Sequence, residues 1–244
     1  MRFLSDVFWE KGEWREQNQD AVVLLTALTG RGRVLLAAVC DGMGGHSGGE
    51  VASALVTRQL QEWFYDTLLP SVRRRKRLWV IRRSLDRLVY QMQACFKGYA
   101  QREQLQLGTT MSVLVIWEQR YLLWHLGDSR IYRVRRKRHG QETEIVCLTQ
   151  DHKVGSCSLT RCVGSFGFFC PDHSLGTVRA EEGFLICSDG FYRRMEEGEL
   201  GGVLAPQGIT GEEQIGRRLR EIAGCCRRRG ERDNLSAVYV RTGR

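Results

Sequence analysis

The chain has 244 residues and a net charge of +9 at pH 7, and 42% of its residues are hydrophobic. No apolar run is long enough to cross a bilayer, and we find no signal peptide, sequence repeat or Ser/Pro-rich linker, which excludes membrane-spanning, secreted and repeat proteins. We therefore expect residues 1–244 to form a single domain of a soluble, cytoplasmic, monomeric protein with one substantial core.

Strands are predicted where short runs are apolar or alternate between apolar and polar residues: 21–28, 33–40, 111–117, 121–126, 130–136, 144–148, 183–188 and 235–241. Helices are predicted where apolar residues recur at helical period: Gly49 to Asp66, Trp79 to Gln104 and Gly211 to Arg227. A short basic connection joins the first two helices, which favours an antiparallel pair. Because most strands are consecutive and the helices stand in separate blocks, the pattern indicates an α+β fold of antiparallel sheets covered by helices.

Nine cysteines are present, at positions 40, 95, 147, 157, 162, 170, 187, 225 and 226. Several lie inside apolar runs, which is typical of buried thiols in a reducing compartment rather than of a disulfide framework. Cys157, Cys162, Cys170 and His173 are an alternative zinc-ligand set, although their spacing matches no common zinc finger and includes no Cys-x-x-Cys pair.

Three basic runs account for much of the positive charge: 73–77, 133–138 and 227–229. They fall in apparent loops and at a helix end, without the interleaved aromatic residues expected of a nucleic-acid-binding surface. We interpret them as solvated surface or helix-terminal charge, with docking of acidic or phosphorylated partners as the alternative, and we expect no nucleic-acid partner.

The most informative segment is a predicted buried strand, residues 34–40, that ends on Asp41 and is followed by five glycines within eight residues. A carboxylate at the mouth of a buried strand is costly unless it is paired or binds a cation. The glycines allow close backbone approach and offer carbonyl oxygens as further ligands. The segment therefore indicates either a site for a hard metal ion or a glycine turn with a capping aspartate.

Asp41 is one of several aspartates at strand ends or in tight turns. The arrangement of a strand followed by Asp-Gly recurs at Asp189-Gly190, Asp233-Asn234 precedes the last strand, Asp20 precedes the first, and Asp128 lies in a Gly-Asp-Ser turn. Carboxylates from such distant segments can converge only through folding, and Mg²⁺ and Mn²⁺ prefer oxygen ligands. Two such ions about 4 Å apart can activate a water molecule for attack on phosphorus.

Eight motifs occur in this order: Arg15 with Asn18-Gln19-Asp20-Ala21, Asp41-Gly42-Met43-Gly44-Gly45-His46 with Gly49-Glu50, Gly108-Thr109-Thr110, Gly127-Asp128-Ser129-Arg130, Leu148-Thr149-Gln150-Asp151-His152, Leu159-Thr160-Arg161-Cys162-Val163-Gly164, Ser188-Asp189-Gly190 and Asp233-Asn234. Together they cover nearly the whole chain, and the chain resembles the metal-dependent protein phosphatases of the 2C type in their compact bacterial form. The resemblance implies a four-layer α-β-β-α sandwich of two antiparallel sheets flanked by antiparallel helix pairs.

The resemblance also implies site roles. Asp41 would bridge two Mn²⁺ or Mg²⁺ ions, and the Gly42 carbonyl would bind one of them. Asp189 and Asp233 would complete the set of ligands around the other ion. The remaining implied roles are action through water for Asp20, a third and looser ion for Asp128, and a clamp on the substrate phosphate for Arg15, whose planar guanidinium matches phosphate oxygens. Thr109 and Thr110 are expected to support the fold next to the site.

The implied reaction is hydrolysis of phosphoserine or phosphothreonine in a protein by a metal-bridged hydroxide, without a phosphoenzyme. The expected partners are phosphorylated proteins, together with a cognate serine/threonine kinase and its targets. Met43 stands where animal members have a histidine, so metal-bound water is the expected proton source, with His46 as the alternative.

Two departures from the family pattern are present. Gln19 replaces a glutamate, so the hold on one cation should weaken. Six residues, 153–158, stand where the family has a longer flap segment, which predicts a more open site with altered substrate choice. One alternative function is a catalytically weak or inactive phosphoprotein-binding regulator of the same fold. Another is a phosphatase dedicated to a single regulator, such as an anti-sigma-factor antagonist.

Overall fold

A computed structural model describes residues 1–43, 48–103, 107–137, 142–155, 158–164 and 169–243. The strands of these residues are, in chain order, β1 Arg2–Glu10, β2 Asp20–Thr29, β3 Gly32–Met43, β4 Gly108–Thr109, β5 Met111–Trp117, β6 Arg120–Leu126, β7 Arg130–Arg136, β8 Thr143–Cys147, β9 Lys153–Val154, β10 Ser158–Leu159, β11 Asp172–Thr177, β12 Gly183–Cys187 and β13 Leu235–Gly243. The helices are α1 Gly49–Trp63, α2 Leu69–Arg73, α3 Leu78–Glu103, α4 Asp189–Tyr192, α5 Glu197–Val203 and α6 Glu212–Arg228.

The long strands form two antiparallel sheets. The first has the order β11-β6-β5-β3-β2, and the short β4 pairs with the end of β3. The second has the order β1-β13-β12-β7-β8. β9 and β10 form a separate small hairpin.

Alternation along β3 shows how the layers are built. Leu35, Ala37 and Val39 belong to the cluster that fills the space between the two sheets, where they meet residues of β12 and β13 such as Phe184 and Val238. The intervening side chains of β3 point to the other face and pack with α1 and α3. A third cluster joins the second sheet to α4, α5 and α6. The expected four-layer α-β-β-α sandwich is therefore confirmed.

The first helical layer extends further than predicted. After α1, the chain continues through a π-helical segment, Phe64–Leu68, into α2, so that only residues 74–77 connect to α3. The π-helical hydrogen bond from the Leu69 N–H to the Phe64 carbonyl immediately precedes Pro70. Because Pro70 has no N–H and cannot continue the α-helical pattern, the helix widens here instead of ending at Asp66.

Two edge strands were not predicted. β1 pairs only with β13, and β11 pairs only with β6. β1 mixes apolar with charged residues and is only partly buried on both faces, while β11 alternates between partly buried and exposed positions. Neither run therefore shows the strong apolar signal of the central strands.

The chain crosses from one sheet to the other between β6 and β7. β6 lies in the first sheet and β7 in the second, although only residues 127–129 separate them. Gly127 has a φ of +106°, and a Cβ there would lie 2.5 Å from Cγ2 of Thr110, so glycine is required on both grounds. This crossing carries Asp128 to the end of the sandwich.

The basic run 133–138 was expected in a loop on the solvated surface, but residues 133–136 lie on β7 and the Arg133 side chain is only 14% exposed. Arg133 and Arg135 project from β7 into ion pairs with Glu182 and Glu144, and Arg229 at the end of α6 pairs with Glu199. Eight cysteines lie within the described residues, and four of them are buried: Cys40, Cys162, Cys187 and Cys226. In the same part of the chain, no helix combines the length and apolar character needed to span a membrane.

Candidate active site

The ends of β3, β12 and β13 meet at a cavity of about 560 Å³. Six of the seven predicted site residues line it: Arg15, Asp41, Gly42, Asp128, Asp189 and Asp233. Further lining residues are Gln19, Met43, Thr110, Lys153, Ser158, Leu159, Cys162, Arg193 and Asn234. The cavity is therefore an acidic depression with three basic side chains among its walls.

Asp41 is held through its backbone. Its N–H donates to Oγ1 of Thr110 at 2.8 Å, and its carbonyl accepts from the Thr110 N–H at 2.8 Å and from Oγ1 of Thr109 at 3.0 Å. Oγ1 of Thr110 also lies 2.7 Å from Oγ of Ser129, next to Asp128. The two threonines thus fix the end of β3 and tie it to the crossing between the sheets.

Gly42 has no space for a side chain. A Cβ at this position would collide with the Gly49 carbonyl and would lie 2.6 Å from the Gln19 carbonyl oxygen. The Gly42 N–H donates to that same Gln19 carbonyl at 3.0 Å. The start of α1, the end of β3 and the loop before β2 are consequently packed backbone against backbone at the cavity wall.

Asp189 and Asp233 are brought together by close contact between their own segments. Asp189 begins α4 directly after β12, and Asp233 precedes β13. A Cβ at Gly190 would collide with the Asn234 carbonyl oxygen, so the Asp-Gly sequence allows the two segments to touch. The Ser188 N–H donates to the Ser236 carbonyl at 2.9 Å and continues the sheet up to the two carboxylates.

Asn234 fixes the loop that carries Arg15. Its amide donates to the carbonyls of Lys11 and Gln17 at 2.7 and 3.2 Å, and its Oδ1 accepts from the Gln19 N–H at 2.9 Å. Residues before β2 are thereby attached to the start of β13. The Asp-Asn motif identified this residue, but its role as an anchor depends on contacts with a segment more than 200 residues away and was not predicted.

Two arginines neutralise part of the acidic wall. Arg15, with about half of its side chain exposed, contacts Oδ1 of Asp233 through Nε and Nη2, both at 2.9 Å. Nη2 of Arg193 lies 2.9 Å from Oδ2 of Asp189 and 3.3 Å from Oδ2 of Asp233. Burial raises the pKa of Asp233, but the hydrogen bond and charge of Arg15 outweigh it, so the pKa falls below its ordinary value.

The pKa values of the other cavity carboxylates are shifted in the opposite direction, above their ordinary values. Burial, followed by the charges of Asp20 and Asp189, raises the pKa of Asp41 well above its ordinary value. Burial also raises the pKa of Asp189 to about 6, against the opposing charge of Arg193. The pKa of Asp128 rises through burial, although Lys153 opposes the shift. Burial is the first cause of each of these shifts, and four carboxylates share the wall with three basic side chains.

Asp20 lies behind the cavity wall. It pairs with Asp41 in the register of β2 and β3 and is buried. Its pKa is raised to about 7, by burial first and also by Asp189 and Asp233, while the hydroxyls of Ser236 and Ser188 oppose the shift. Neither carboxylate oxygen makes a well-formed hydrogen bond within the described residues. Asp20 is therefore coupled to the cavity by charge without lining it.

The turn that presents Asp128 has its own support. The Gly127 N–H donates to Nδ1 of His152 at 3.2 Å, and Nε2 of His152 lies 2.9 Å from Oδ2 of Asp172. The Asp128 carbonyl accepts from the Tyr192 hydroxyl at 3.0 Å. His152 was identified only as part of a motif, because nothing in its local sequence indicates which backbone it contacts.

The shortened flap is reduced to the β9–β10 hairpin. The Thr160 N–H donates to the His152 carbonyl at 2.8 Å and closes the base of the hairpin. Lys153, Ser158 and Leu159 face the cavity. Lys153 also pairs with Asp151 at 2.9 Å. The flap thus covers one side of the cavity with a short hairpin and a lysine.

His46, the alternative proton donor, lies outside the described residues, as does Cys157 of the alternative zinc set. Of the other zinc candidates, Cys162 lines the acidic cavity, whereas His173 lies on β11 and contacts Arg82 at 2.9 Å. Across the described ranges, no three histidine, cysteine, aspartate or glutamate side chains already converge on one metal position. In the acidic cavity, guanidinium groups contact the carboxylates of Asp189 and Asp233 instead.

The chain is similar to known proteins over most of its length. A sequence model of the family described as protein phosphatase 2C matches residues 15–238. The chain is 26% identical over 261 residues to the protein phosphatase PhpP of Streptococcus pneumoniae, which covers 97% of this chain and 95% of PhpP. A putative protein phosphatase of Mycoplasma pneumoniae is 27% identical over 227 residues, covering 77% of this chain and 78% of that protein.

Solved structures share the fold over the same length. The serine/threonine phosphatase of S. agalactiae superposes with a TM-score of 0.82 at 23% identity, covering 99% of this chain and all of that one. The catalytic domain of the serine/threonine phosphatase PstP, in complex with two manganese ions, gives a TM-score of 0.78 at 26% identity and covers 99% of both chains. The chain therefore belongs to the protein phosphatase 2C family, the metal-dependent hydrolases of phosphoserine and phosphothreonine in proteins.

Proposed function

We propose that this protein removes phosphate from phosphoserine and phosphothreonine in proteins, with the chemistry centred on the acidic cavity. The observation that carries the proposal is the convergence of Asp41, Asp128, Asp189 and Asp233, which come from four separate segments, on one cavity that Arg15 also reaches. Clustered carboxylates that repel one another need positive charge, and divalent metal ions supply it.

The residues fit a pair of Mn²⁺ or Mg²⁺ ions. Oδ1 of Asp189 is buried without a hydrogen-bond partner in the described part of the chain, and the raised pKa values of Asp41 and Asp189 favour binding of a cation. Asp41, the Gly42 carbonyl, Asp189 and Asp233 would hold the two ions. Asp20 would contribute through water, and Asp128 would help to hold a third ion. When bound, the ions lower the pKa of a water molecule so that it can attack phosphorus.

The chain's own side chains position the phosphate. Arg15 can turn its planar donor fork from Asp233 towards phosphate oxygens, because its guanidinium is half exposed at the cavity rim. The Thr109 and Thr110 hydroxyls hold the Asp41 backbone so that its carboxylate keeps a fixed position. Lys153 on the flap adds positive charge on the opposite side, where a phosphorylated peptide would enter. Arrangement and charge therefore favour a dianionic phosphate at the centre of the cavity.

The proposal extends to domain organisation, environment and partners. We propose that residues 1–244 act as one phosphatase domain, because the two sheets share the core between them. Buried thiols such as those of Cys40 and Cys187 support a reducing, cytoplasmic environment. A monomer acting on the targets of a cognate serine/threonine kinase is the simplest arrangement for this activity.

The decisive experiment measures hydrolysis of p-nitrophenyl phosphate and of a phosphothreonine peptide with Mn²⁺, with Mg²⁺ and with EDTA. We expect turnover with metal that is insensitive to okadaic acid, and its loss in Asp189→Ala and Asp233→Ala. Asp66→Asn, at an exposed helical position, serves as the control and should retain full activity. Metal binding without turnover under any divalent ion would instead support the regulator that binds phosphoproteins.

A further inference from the structure

Arg193 occupies an unusual position for a cation in an acidic, metal-dependent site. It follows Asp189 by one helical turn, at the end of α4, so its side chain folds back over the carboxylate that begins the helix. Nη2 of Arg193 contacts Oδ2 of Asp189 at 2.9 Å and Oδ2 of Asp233 at 3.3 Å. One nitrogen atom thus lies between the two carboxylates that the proposed function assigns to a metal ion.

A third carboxylate holds the other side of the same guanidinium. Oε2 of Glu231 lies 3.6 Å from Nε of Arg193, and the Glu231 side chain is only 3% exposed. This oxygen makes no hydrogen bond of its own in the described residues, so the guanidinium provides part of its compensation. The contact with Glu231 is made by Nε of Arg193, while Nη2 contacts the carboxylates in the cavity. Arg193 can therefore release Asp189 and Asp233 while it keeps its contact with Glu231.

The charges of the site agree with this geometry. The Arg193 guanidinium is a permanent cation, and it lies among the carboxylates of Asp189, Glu231 and Asp233. Between Asp189 and Asp233, the positive charge of Arg193 takes the place of the charge of a divalent ion. It reduces the repulsion between Asp189 and Asp233.

We propose that Arg193 is an internal competitor of the metal ion at Asp189 and Asp233, and that this ion binds by displacing Nη2 of Arg193 towards Glu231. The inference rests on the proposed function, since it concerns the same carboxylates. Arg193 is a positioning residue that stabilises the metal-free protein and weakens the affinity of one ion. In the metal-loaded protein, the displaced guanidinium remains at the cavity edge beside Glu231.

The neighbouring arginine provides a matched control. Nε of Arg194 lies 3.5 Å from the same Oε2 of Glu231, and the side chain is exposed to a similar extent. Among the described residues, its ion pair is with Glu231 and not with Asp189 or Asp233. Arg193→Gln and Arg194→Gln therefore remove the same charge from the same carboxylate, but only the first removes the contacts with the metal-ligand pair.

The test combines titration calorimetry with Mn²⁺ and thermal unfolding in EDTA and in saturating Mn²⁺. We expect Arg193→Gln to bind the weaker Mn²⁺ ion at least tenfold more tightly than wild type. In EDTA, the same variant should have a lower melting temperature than wild type. Its melting temperature should also rise more than that of wild type when Mn²⁺ is added. Arg194→Gln should keep the wild-type affinity. Arg193→Lys, which keeps the charge on a single ammonium, should fall between wild type and Arg193→Gln, and it replaces Arg193→Gln if that variant does not fold.

Unchanged or weaker Mn²⁺ affinity in Arg193→Gln would overturn the inference, as would an equal gain in Arg194→Gln, which would reflect only the change in net charge. Failure of the proposed function gives a different result. Wild type would then bind Mn²⁺ without turnover, or would bind none, while the change in EDTA melting temperature would still report the contacts of Arg193.

Discussion

Arg15 reaches the cavity from the loop between β1 and β2, far in sequence from the aspartate it contacts. Its partner Asp233 is also a candidate metal ligand, so the same carboxylate is neutralised by a guanidinium in one state and by an ion in another. Moving the Arg15 guanidinium from Asp233 to a phosphate would cost little free energy, because the side chain is half exposed and keeps access to solvent. The contact between Arg15 and Asp233 is therefore expected to change when phosphate and metal ions bind in the cavity.

Replacing Arg15 should test this role directly. We expect Arg15→Ala to lower kcat/KM for a phosphothreonine peptide about 10- to 100-fold, since each hydrogen bond to a charged group contributes about 1.5–3 kcal/mol. Arg31→Ala, which removes an exposed arginine paired with Glu118, is the control and should leave kcat/KM unchanged. Steady-state kinetics at saturating Mn²⁺ make the comparison, and equal losses in both variants would contradict the role of Arg15.

Replacing Gln19 tests whether a single side chain at the cavity wall sets the affinity for metal ions. We expect Gln19→Glu to bind Mn²⁺ about three- to tenfold more tightly, because the added charge lies at the cavity wall and the side chains are nearly isosteric. The backbone contacts of Gln19 with Gly42, Ser53 and Asn234 are unaffected by the change. Calorimetric titration measures the difference. The same affinity in both proteins would show that the departure from the family pattern has no effect on metal binding.

The acidic residues of the site could be identified from the sequence, but their cationic neighbours could not. Asp41 and Asp189 each follow a strongly apolar strand, a local pattern that indicates a functional carboxylate. Arg193 stands beside Arg194 in what reads as an ordinary basic pair. Both arginines contact Glu231, so the one that turns inward is decided by Asp233, which approaches from a loop 40 residues after Arg193.

Among the elements, the crossing between β6 and β7 matters most for the site, because it joins the two sheets beside Asp128. Thr110 is the link, since its hydroxyl contacts both the Asp41 N–H and the Ser129 hydroxyl. The short flap hairpin closes on the same region through His152. The first sheet, the second sheet and the flap therefore all depend on a few buried polar contacts around this crossing.

Thr110→Val tests the crossing. Valine keeps the shape of threonine but leaves the Asp41 N–H and the Ser129 hydroxyl without their partner, so we expect a loss of about 1–3 kcal/mol in the free energy of unfolding. Urea unfolding monitored by circular dichroism measures the loss. Thr110→Ser retains the hydroxyl and should recover much of the stability lost in Thr110→Val. A fully stable valine variant would show that this hydrogen-bond pair contributes nothing to the crossing.

Sequence pattern located the central strands well because burial on both faces makes them continuously apolar, as in β5. It missed β1 and β11 because these two edge strands mix polar with apolar residues, whereas the edge strand β2 is largely apolar and was predicted. The end of the first helix was misplaced because Pro70 usually marks a helix boundary. Here the chain accommodates the proline with a π-helical turn instead of ending.

For the whole molecule, one buried histidine links stability to pH. His125 lies on β6 between Ser112, 2.9 Å from its Nδ1, and the Gln150 carbonyl, 3.1 Å from its Nε2. Burial, and then the nearby His152, lowers its pKa from 6.5 to about 4, although the Gln150 carbonyl and the charges of Asp172 and Asp151 oppose the shift. The folded protein therefore keeps this ring neutral under conditions where the unfolded chain protonates it.

The sign of the effect follows from proton uptake. Between pH 6.5 and 4 the unfolded chain binds a proton at His125 that the folded protein does not, so acid favours unfolding. The stabilisation is complete above pH 6.5, and about 3 kcal/mol of it is lost as the pH falls to 4. His125→Gln can still donate to the Gln150 carbonyl and should flatten the pH dependence of the unfolding free energy over this range. A slope equal to that of wild type would assign the effect to other groups.

The sandwich as a whole was predicted through family resemblance and not through periodicity. Alternation along β3 shows that both of its faces are apolar, but it does not show which face meets helices and which meets a second sheet. That choice depends on total packing, in which α1 and α3 cover one side while Phe184 and Val238 fill the other. The order of the elements favours antiparallel sheets, but the apolar pattern does not assign the two faces of a strand.

The position of β13 has a consequence for synthesis of the protein. β13 lies between β1 and β12, so β1 has no partner until residues 235–243 have been made, although it leaves the ribosome first. The loop carrying Arg15 follows β1 directly, and Asn234, which anchors that loop, precedes β13 directly. A nascent chain therefore has no anchored Arg15 loop until β13 has been made, and we expect dephosphorylation to require residues 235–243.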